Sequence, residues 1–205
     1  MIVQTDISYR LVLASASPAR HALLKAAGID ADVLVSGVDE SVVEAEDAYT
    51  VSLALARMKA RTVAARMQAE PGVLILGCDS VLAFEGAILG KPADANEAIK
   101  RWQAMRGHSG VLHTGHHLTN LVGGQQAEDV GTTVVHFADV SDAEIEAYVA
   151  TGEPLQVAGA FTIDGRGGAF VERIEGDSGN VIGVSLPLLR RLLGELGVSI
   201  TDLWS

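Results

Sequence analysis

The segment "VLILGCDSVLAFEGAILGKP", residues 73–92, carries the pattern that decides the fold. Val73–Leu76 is a continuous apolar run, which is typical of a strand buried on both faces in the centre of a sheet. Residues 81–89 are two further apolar runs on either side of the dipeptide Glu85-Gly86. This arrangement predicts a β-hairpin that follows the central strand.

Capping residues and apolar spacing predict helices and further strands on both sides of this segment. Ser17 is a good N-cap with Pro18 in the first turn, and Ser141 with Glu144 predicts a capping box. The predicted helices run from Pro18 to just before Gly28, roughly from Ala48 to Gln68, from Asp94 to Gly107, from Ser141 to about Val149, and from Leu186 to Leu196. The predicted strands are Leu11–Ala14, Val111–Val122, Asp129–Phe137 and an alternating stretch that contains Val33, Val35 and Val38.

Helices and strands alternate early in the chain, and longer hairpins appear later. This order predicts the α/β class, with an elongated mixed β-sheet, flanking helices and two lobes around a central cleft. The length of 205 residues suits a single domain, residues 1–205.

Composition limits the classes of function. The net charge of −11 disfavours broad nucleic-acid binding, because an acidic surface repels phosphates. The sequence contains no apolar run of the ~20 residues that span a bilayer, and its first residues lack a basic-then-apolar pattern, so we do not expect secretion. Its one cysteine, Cys78, excludes a disulfide within the chain, so we expect a cytoplasmic protein with no membrane partner.

The motif "SASPAR", residues 15–20, places Ser15, Ser17 and Arg20 around a predicted helix N-terminus. Unpaired N–H groups and the helix dipole favour an anion there, and the first turn carries a cation and no acid. A phosphate could therefore be bound by the two hydroxyl groups, the N–H groups and the guanidinium. The alternative is an ordinary helix cap with a solvated arginine.

Other charged residues are candidates for the same site. Asp79 could bind Mg²⁺ or orient a water, or it could cap a turn after the strand. Lys91, in "GKP", is either a fixed charge for a phosphate or a solvated lysine. Lys59 borders the apolar face of the long helix, so it could reach a cleft or snorkel to solvent. Asp39 and Glu40 could be metal ligands or solvated acids.

Three further features carry weaker signals. The histidines His108, His113, His116 and His117 do not match the spacing of a zinc site. No neighbouring base marks Cys78 as a nucleophile, so we interpret it as a core residue. The glycine-rich segment "DGRGG", which begins at Asp164, could be a phosphate-binding or base-binding loop.

Taken together and in order, these motifs resemble the Maf family of nucleoside triphosphate pyrophosphatases over nearly the whole chain. The matching motifs are "LASASPAR" (13–20), "VDE" (38–40), "ARMKA" (56–60), "GCDS" (77–80), "ILGKP" (88–92), "HTG" (113–115), "EPLQVAGAF" (153–161), and "IEGD" with "NVIGVSLP" near the end.

The resemblance implies an elongated α/β fold related to the inosine triphosphate pyrophosphatases. It implies hydrolysis of a nucleoside triphosphate to the monophosphate and pyrophosphate with a divalent cation, Mg²⁺ or Mn²⁺. The family analogy alone suggests a homodimer. On this basis we expect catalytic roles for Asp79 (the presumed proton acceptor), Lys59 and Lys91, substrate binding by Ser15, Ser17, Ala19, Arg20, Ser80 and Asp164, and a metal held by Glu40 and Asp79.

The sequence departs from the family pattern at three positions. The branch that acts on dTTP and UTP typically has arginine, threonine and glutamine where this chain has Ala19, Ser80 and Asp164. A second branch, which acts on 7-methyl-GTP, has tryptophan at the position of Ala19. The base specificity therefore stays open. An ionised Asp164 only accepts hydrogen bonds, so we expect a base edge rich in donors, such as a guanine-type edge.

A second hypothesis is a non-catalytic, nucleotide-sensing regulator, because Maf proteins have been linked to septum formation and arrest of cell division. Analysis of the products from a panel of nucleotides would separate the enzyme from the sensor.

Overall fold

A computed structural model describes residues 8–43 and 45–205 of the chain. The strands are β1 (Arg10–Leu13), β2 (Asp32–Val33), β3 (Val73–Phe84), β4 (Ala87–Leu89), β5 (Ser109–Asn120), β6 (Gln126–Phe137) and β7 (Val171–Glu175). The α-helices are α1 (Pro18–Ala26), α2 (Ala48–Ala64), α3 (Ala95–Met105), α4 (Asp142–Ala150), α5 (Ser178–Ile182) and α6 (Leu186–Glu195). Short 3₁₀ turns cover Glu40–Val42, Glu153–Gln156, Ala158–Ala160, Arg166–Phe170 and Ile200–Leu203.

The strands form one seven-stranded mixed sheet in the order β2-β1-β3-β5-β6-β7, with β4 also paired to β3. β1 runs parallel to β2 and β3, and the other pairings of the described strands are antiparallel. β3 is thus the strand at which the parallel part of the sheet meets the antiparallel part. The predicted α/β class with a mixed sheet and flanking helices is confirmed.

The predicted helix starts are confirmed in atomic detail. The side chains of Ser17, Asp94 and Ser141 each accept a backbone N–H from the first turn of the helix that follows, and Ser141 with Glu144 forms the predicted capping box. The end of α2 differs from the prediction, since the helix stops at Ala64 rather than near Gln68.

The prediction for the central strand is wrong in one respect. β3 runs without a break through all twelve residues from Val73 to Phe84, so Asp79 lies inside the strand and does not cap a turn. The strand can continue because Lys59 pairs with Asp79, and Arg20 and Thr114 bind the hydroxyl of Ser80. Similarly, β2 contains only two residues and stops well before Val38.

Helix α2 lies directly on the sheet where two strand residues are glycines. A Cβ atom added to Gly77 would stand 2.1 Å from the carbonyl oxygen of Ala56, and one added to Gly115 would stand 2.3 Å from that of Ser52. Only glycine allows a helix backbone to approach a strand this closely. The contact places the side chains of α2 against the middle of β3.

The apolar residues form two large clusters along the sheet. One contains β1, the first half of β3, α1 and α6, around Leu13, Leu76 and Leu189. The other contains the second half of β3, α3 and α4, around Trp102 and Phe137. Cys78 belongs to the first cluster, where burial raises the pKa of its thiol to about 12, so its predicted role as a core residue is confirmed. Among the described helices, none combines the length and the apolar character that a bilayer crossing demands.

His116 of β5 is fully buried beside the start of α6. Its Nδ1 lies 2.9 Å from the carbonyl oxygen of Thr114, and its Nε2 lies 2.8 Å from the backbone nitrogen of Ser185. Because the carbonyl can only accept and the N–H can only donate, the ring is neutral with its proton on Nδ1. Burial lowers its pKa to about 4.

The close contact between helix and strand predicts opposite effects for two glycine substitutions. Gly77→Ala should lower the free energy of unfolding by about 1–3 kcal/mol or more, since the new methyl group overlaps the backbone of α2. Gly194→Ala in α6, where a Cβ atom meets nothing within 4 Å, should raise it by up to about 1 kcal/mol through helix propensity. Chemical denaturation of both variants measures this, and equal effects would contradict the packing described here.

The neutral state of His116 predicts a loss of stability in mild acid. The unfolded chain protonates this ring near pH 6.5, whereas the folded chain resists until about pH 4, so the unfolded state binds more protons between these values. Preferential protonation of His116 in the unfolded state should therefore lower the free energy of unfolding by about 3 kcal/mol as the pH falls from 7 to 4. Unfolding of His116→Gln, which cannot titrate, should depend less on pH in that window, and an unchanged dependence would contradict the assignment.

Candidate active site

A cleft of about 780 Å³ opens beside the middle of β3, between the two apolar clusters. It brings together segments that are far apart in sequence: the β1–α1 loop, the turn before α2, α2 itself, β3, the β4–α3 loop and the segment 156–162. Of the residues expected to act, those that line it are Ser15, Ser17, Ala19, Arg20, Glu40, Lys59, Asp79, Ser80 and Lys91.

Two of the predicted residues lie outside the wall of the cleft. Asp164 is exposed and accepts a hydrogen bond from the hydroxyl of Thr162, and it is Thr162 that lines the cleft. Asp39 caps the turn Glu40–Val42 by accepting hydrogen bonds from the backbone and the hydroxyl of Ser41.

The β1–α1 loop is held in a fixed conformation by its two serines. The hydroxyl of Ser17 accepts the backbone N–H of Arg20 at 3.4 Å, and the hydroxyl of Ser15 accepts the backbone N–H of Ser17 at 3.2 Å. Ser15 is buried, and its oxygen also accepts a hydrogen bond from the guanidinium of Arg20 at 3.0 Å. Both of these bonds use Ser15 as an acceptor, so its hydroxyl group can still donate one hydrogen bond.

Arg20 is buried, so the interpretation as a solvated arginine is wrong. Its guanidinium donates to the carbonyl oxygens of Gly183 and Cys78, both at 3.0 Å, and to the hydroxyls of Ser15 and of Ser80, the latter at 3.1 Å. The side chain therefore ties α1 to β3 and to the loop after α5. Its positive charge remains next to the cleft, because charge-assisted hydrogen bonds to neutral groups do not neutralise it.

A chain of hydrogen-bonded hydroxyl groups extends from Arg20 to the neighbouring strand β5. The oxygen of Ser80 lies 2.9 Å from that of Thr114, and Thr114 donates to the carbonyl oxygen of Asn180 at 2.8 Å. Thr114 therefore accepts the proton of Ser80, and Ser80 in turn accepts from Arg20. Sequence reasoning missed Thr114, although its place in "HTG" is directly opposite Ser80 in the β3–β5 register.

Asp79, Lys59 and Glu40 form an ion-pair cluster at the centre of the cleft. The Nζ atom of Lys59 lies 2.5 Å from Oδ1 of Asp79 and 2.7 Å from Oε1 of Glu40. Lys59 and Asp79 are both buried, whereas half of the Glu40 side chain is exposed. The snorkelling alternative for Lys59 is therefore wrong, since its ammonium reaches inward from α2 to the middle of the strand.

The two carboxylates of this cluster titrate differently. Burial raises the pKa of Asp79 above its ordinary value, although Lys59 and Arg20 act in the opposite direction. Burial alone would also raise the pKa of Glu40, but Lys59, Lys91 and Arg20 together outweigh it and hold that pKa below its usual range. The cluster therefore pairs one carboxylate of increased basicity with one that stays ionised.

The donor set of this cluster suits a hard divalent cation. Oδ1 of Asp79 and Oε1 of Glu40 both pair with the ammonium of Lys59, so a cation held here would share the two carboxylates with that lysine. Mg²⁺ is usually held by one or two carboxylates, with its other ligands supplied by water and phosphate oxygens. In the described part of the chain, no group of three or more His, Cys, Asp or Glu side chains is placed to hold a metal ion.

Much of the remaining lining of the cleft is apolar. The β4–α3 loop contributes the exposed side chain of Lys91. Phe161 and Thr162 also line the cleft. Further apolar side chains in its lining are Val81, Ile88, Leu112, Val157, Val181 and Ile182. The cleft therefore combines charged groups with apolar surface, as a nucleotide requires.

Comparisons with known proteins identify the family of this chain. The family model described as "Maf-like protein" matches residues 10–196. A nucleoside triphosphate pyrophosphatase of Salinispora tropica is 64% identical over 98% of this chain and 89% of its own length. Proteins of the same name from Streptomyces avermitilis and Microcystis aeruginosa are 57% and 52% identical, over 96% and 97% of this chain and 95% and 100% of theirs. The chain therefore belongs to the Maf family.

Proposed function

We propose that this protein is a nucleoside triphosphate pyrophosphatase, which hydrolyses a nucleoside triphosphate to the monophosphate and pyrophosphate in the cleft beside β3. The observation that carries the proposal is the buried Asp79, of raised pKa, in a cleft that also holds Lys59, Lys91 and Arg20. The relatives that bear this name match nearly the whole chain.

Local charge supports a polyphosphate ligand. The cleft gathers three cationic side chains, Arg20, Lys59 and Lys91, against two carboxylates, Asp79 and Glu40, in a chain whose net charge is −11. A positive region inside an acidic protein concentrates an anionic ligand at one place on the surface. The start of α1, with Ser15 and Ser17, adds a helix dipole and the hydroxyl of Ser15 for a phosphate.

Asp79 is the residue proposed to accept the proton of the attacking water. The raised pKa makes its carboxylate a stronger base than an exposed aspartate, while Lys59 and Arg20 still favour its ionised form. Attack of that water near the α-phosphorus places new negative charge on the pyrophosphate that leaves. Lys59, Lys91 and Arg20 are proposed to stabilise that charge, and such electrostatic stabilisation is a main contribution in phosphoryl transfer.

A divalent cation, Mg²⁺ or Mn²⁺, is proposed as the cofactor, with Glu40 as a ligand and with Asp79 as a second ligand in the alternative to its role as the proton acceptor. Such an ion neutralises phosphate charge and acts as a Lewis acid. Lys59 would then remain next to both carboxylates and fix their orientation.

The base-binding end is proposed to use Ala19, Ser80 and Asp164, the positions that differ from the known specificity patterns. Ser80 is held by Arg20 and Thr114, so its hydroxyl belongs to a rigid network. Asp164 lies next to the wall through Thr162, and as an acceptor it would favour a donor-rich, guanine-type edge.

The proposal also covers the domain organisation, cellular location, oligomeric state and partners of the enzyme. We propose one domain of residues 1–205 that acts in the cytoplasm, as a homodimer by family analogy, on a free nucleotide. Nucleic acids and membranes are not proposed as partners, because the acidic chain shows no basic stripe that would bind them.

Product analysis tests the reaction directly. Purified protein with Mg²⁺ or Mn²⁺ and a panel of nucleoside triphosphates should release pyrophosphate and a monophosphate, and a chelator should stop the release. Orthophosphate as the sole product would indicate a different phosphatase. Binding without turnover would favour the nucleotide-sensing regulator, and strict preference for UTP would contradict the proposed role of Asp164.

Replacement of the proton acceptor tests the assignment of Asp79. Asp79→Asn keeps the shape of the side chain but removes its basicity, so kcat should fall by about 10²–10⁴-fold. Asp30→Asn, at an exposed aspartate, is the matched control and should keep the wild-type rate. Thermal unfolding checks that both variants are folded, and full activity in Asp79→Asn would rule out the assigned role.

A further inference from the structure

The turn that carries Lys91 is held on both sides of that residue by one helix. On the side before it, the carbonyl oxygen of Gly90 accepts a hydrogen bond from the guanidinium of Arg101 at 2.6 Å. On the side after it, the backbone N–H of Ala93 donates to Oε2 of Glu97 at 2.6 Å. Both side chains belong to α3, so the backbone around Lys91 is fixed from outside the cleft.

Glu97 and Arg101 also bind each other. They are one helical turn apart, and Oε1 of Glu97 accepts from Nε of Arg101 at 3.1 Å and from a second guanidinium nitrogen. The side chain of Arg101 is only 12% exposed, in contrast to a typical surface arginine. A planar guanidinium held by two bonds on one side has little freedom to leave its third partner, the carbonyl of Gly90.

The same carbonyl connects Lys91 to the segment 156–162 of the cleft lining. The oxygen of Gly90 also accepts the backbone N–H of Gly159 at 3.1 Å. Gly159 lies between Ala158 and Phe161, which line the cleft, and Trp102 of α3 fixes the same segment by donating to the carbonyl of Ala160 at 2.7 Å. Helix α3 therefore sets where Lys91 lies relative to the wall that would receive the nucleoside.

We propose that Arg101 is a positioning residue for Lys91: by holding the carbonyl of Gly90, it keeps the ammonium of Lys91 directed at the polyphosphate. The inference rests on the proposed function, because that function is the reason for taking a polyphosphate as the ligand of Lys91. Arg101 does not line the cleft and acts only through the turn. A free lysine on an unrestrained turn would lose the orientation on which fixed-charge stabilisation depends.

A double-mutant cycle tests this coupling. Arg101→Met and Lys91→Met should each lower kcat/KM by about tenfold or more, and the double variant should be no worse than Lys91→Met alone. The expected non-additivity follows because Arg101 would have nothing left to position once the ammonium is gone. A full additional loss in the double variant, as a purely structural role would give, would overturn the proposal.

Two further variants separate positioning from folding. Lys100→Met removes a neighbouring, exposed cation of α3 without touching the turn, and it should match the wild type in rate and thermal stability. Arg101→Lys retains one donor for Gly90 but loses the paired contact with Glu97, so its kcat/KM should lie between wild type and Arg101→Met. Equal losses in Lys100→Met and Arg101→Met would contradict the proposal.

The affinity for a non-hydrolysable triphosphate analogue is the second readout. Arg101→Met and Lys91→Met should weaken it by the same factor, again without additivity. If the wild type bound the analogue but hydrolysed no nucleotide, the pyrophosphatase proposal would fail. The double-mutant cycle, measured as affinity for the analogue, would still support or overturn the role of Arg101.

Discussion

The site depends on the direct contact between α2 and the two central strands. With glycine at positions 77 and 115, the helix backbone lies against the sheet with no side chains between them. At this distance the side chain of Lys59 is long enough to reach Asp79 in the middle of β3. The ion pair satisfies a charge that would otherwise interrupt the strand, since an unpaired buried carboxylate is strongly unfavourable. The same contact thus allows β3 to be long and places its acid in the cleft.

Arg20 has an equivalent role on the opposite face of the sheet. A buried guanidinium needs several acceptors, and here they come from three separate parts of the chain: the β1–α1 loop, β3 and the loop after α5. The cleft is therefore fixed by two buried cations that reach β3 from opposite sides, Lys59 at Asp79 and Arg20 at Ser80. Alternation along the strand explains this division, because neighbouring residues point to opposite faces.

Features encoded over a few residues could be predicted from the sequence, and features that depend on remote partners could not. The caps at Ser17, Asp94 and Ser141 are local, and all three are present as expected. The continuity of β3 was missed because the partner of Asp79 is twenty residues away on another element. Nine of the residues that the motifs predicted to act line one cleft. The motifs did not indicate that Arg20 is buried, or that Thr162 rather than Asp164 lines the cleft.

The single cysteine, Cys78, lies in β3 next to the hydrogen bonds of Arg20. The carbonyl of Cys78 is one of the four acceptors of Arg20, and its thiol is sealed in the core with a pKa of about 12. A thiol-alkylating reagent reacts with the thiolate, so it can reach Cys78 only when its packing against α1 and α6 is lost, by local or global unfolding. The rate of alkylation in native buffer therefore measures how often the core behind the cleft is exposed, with no label added to the protein.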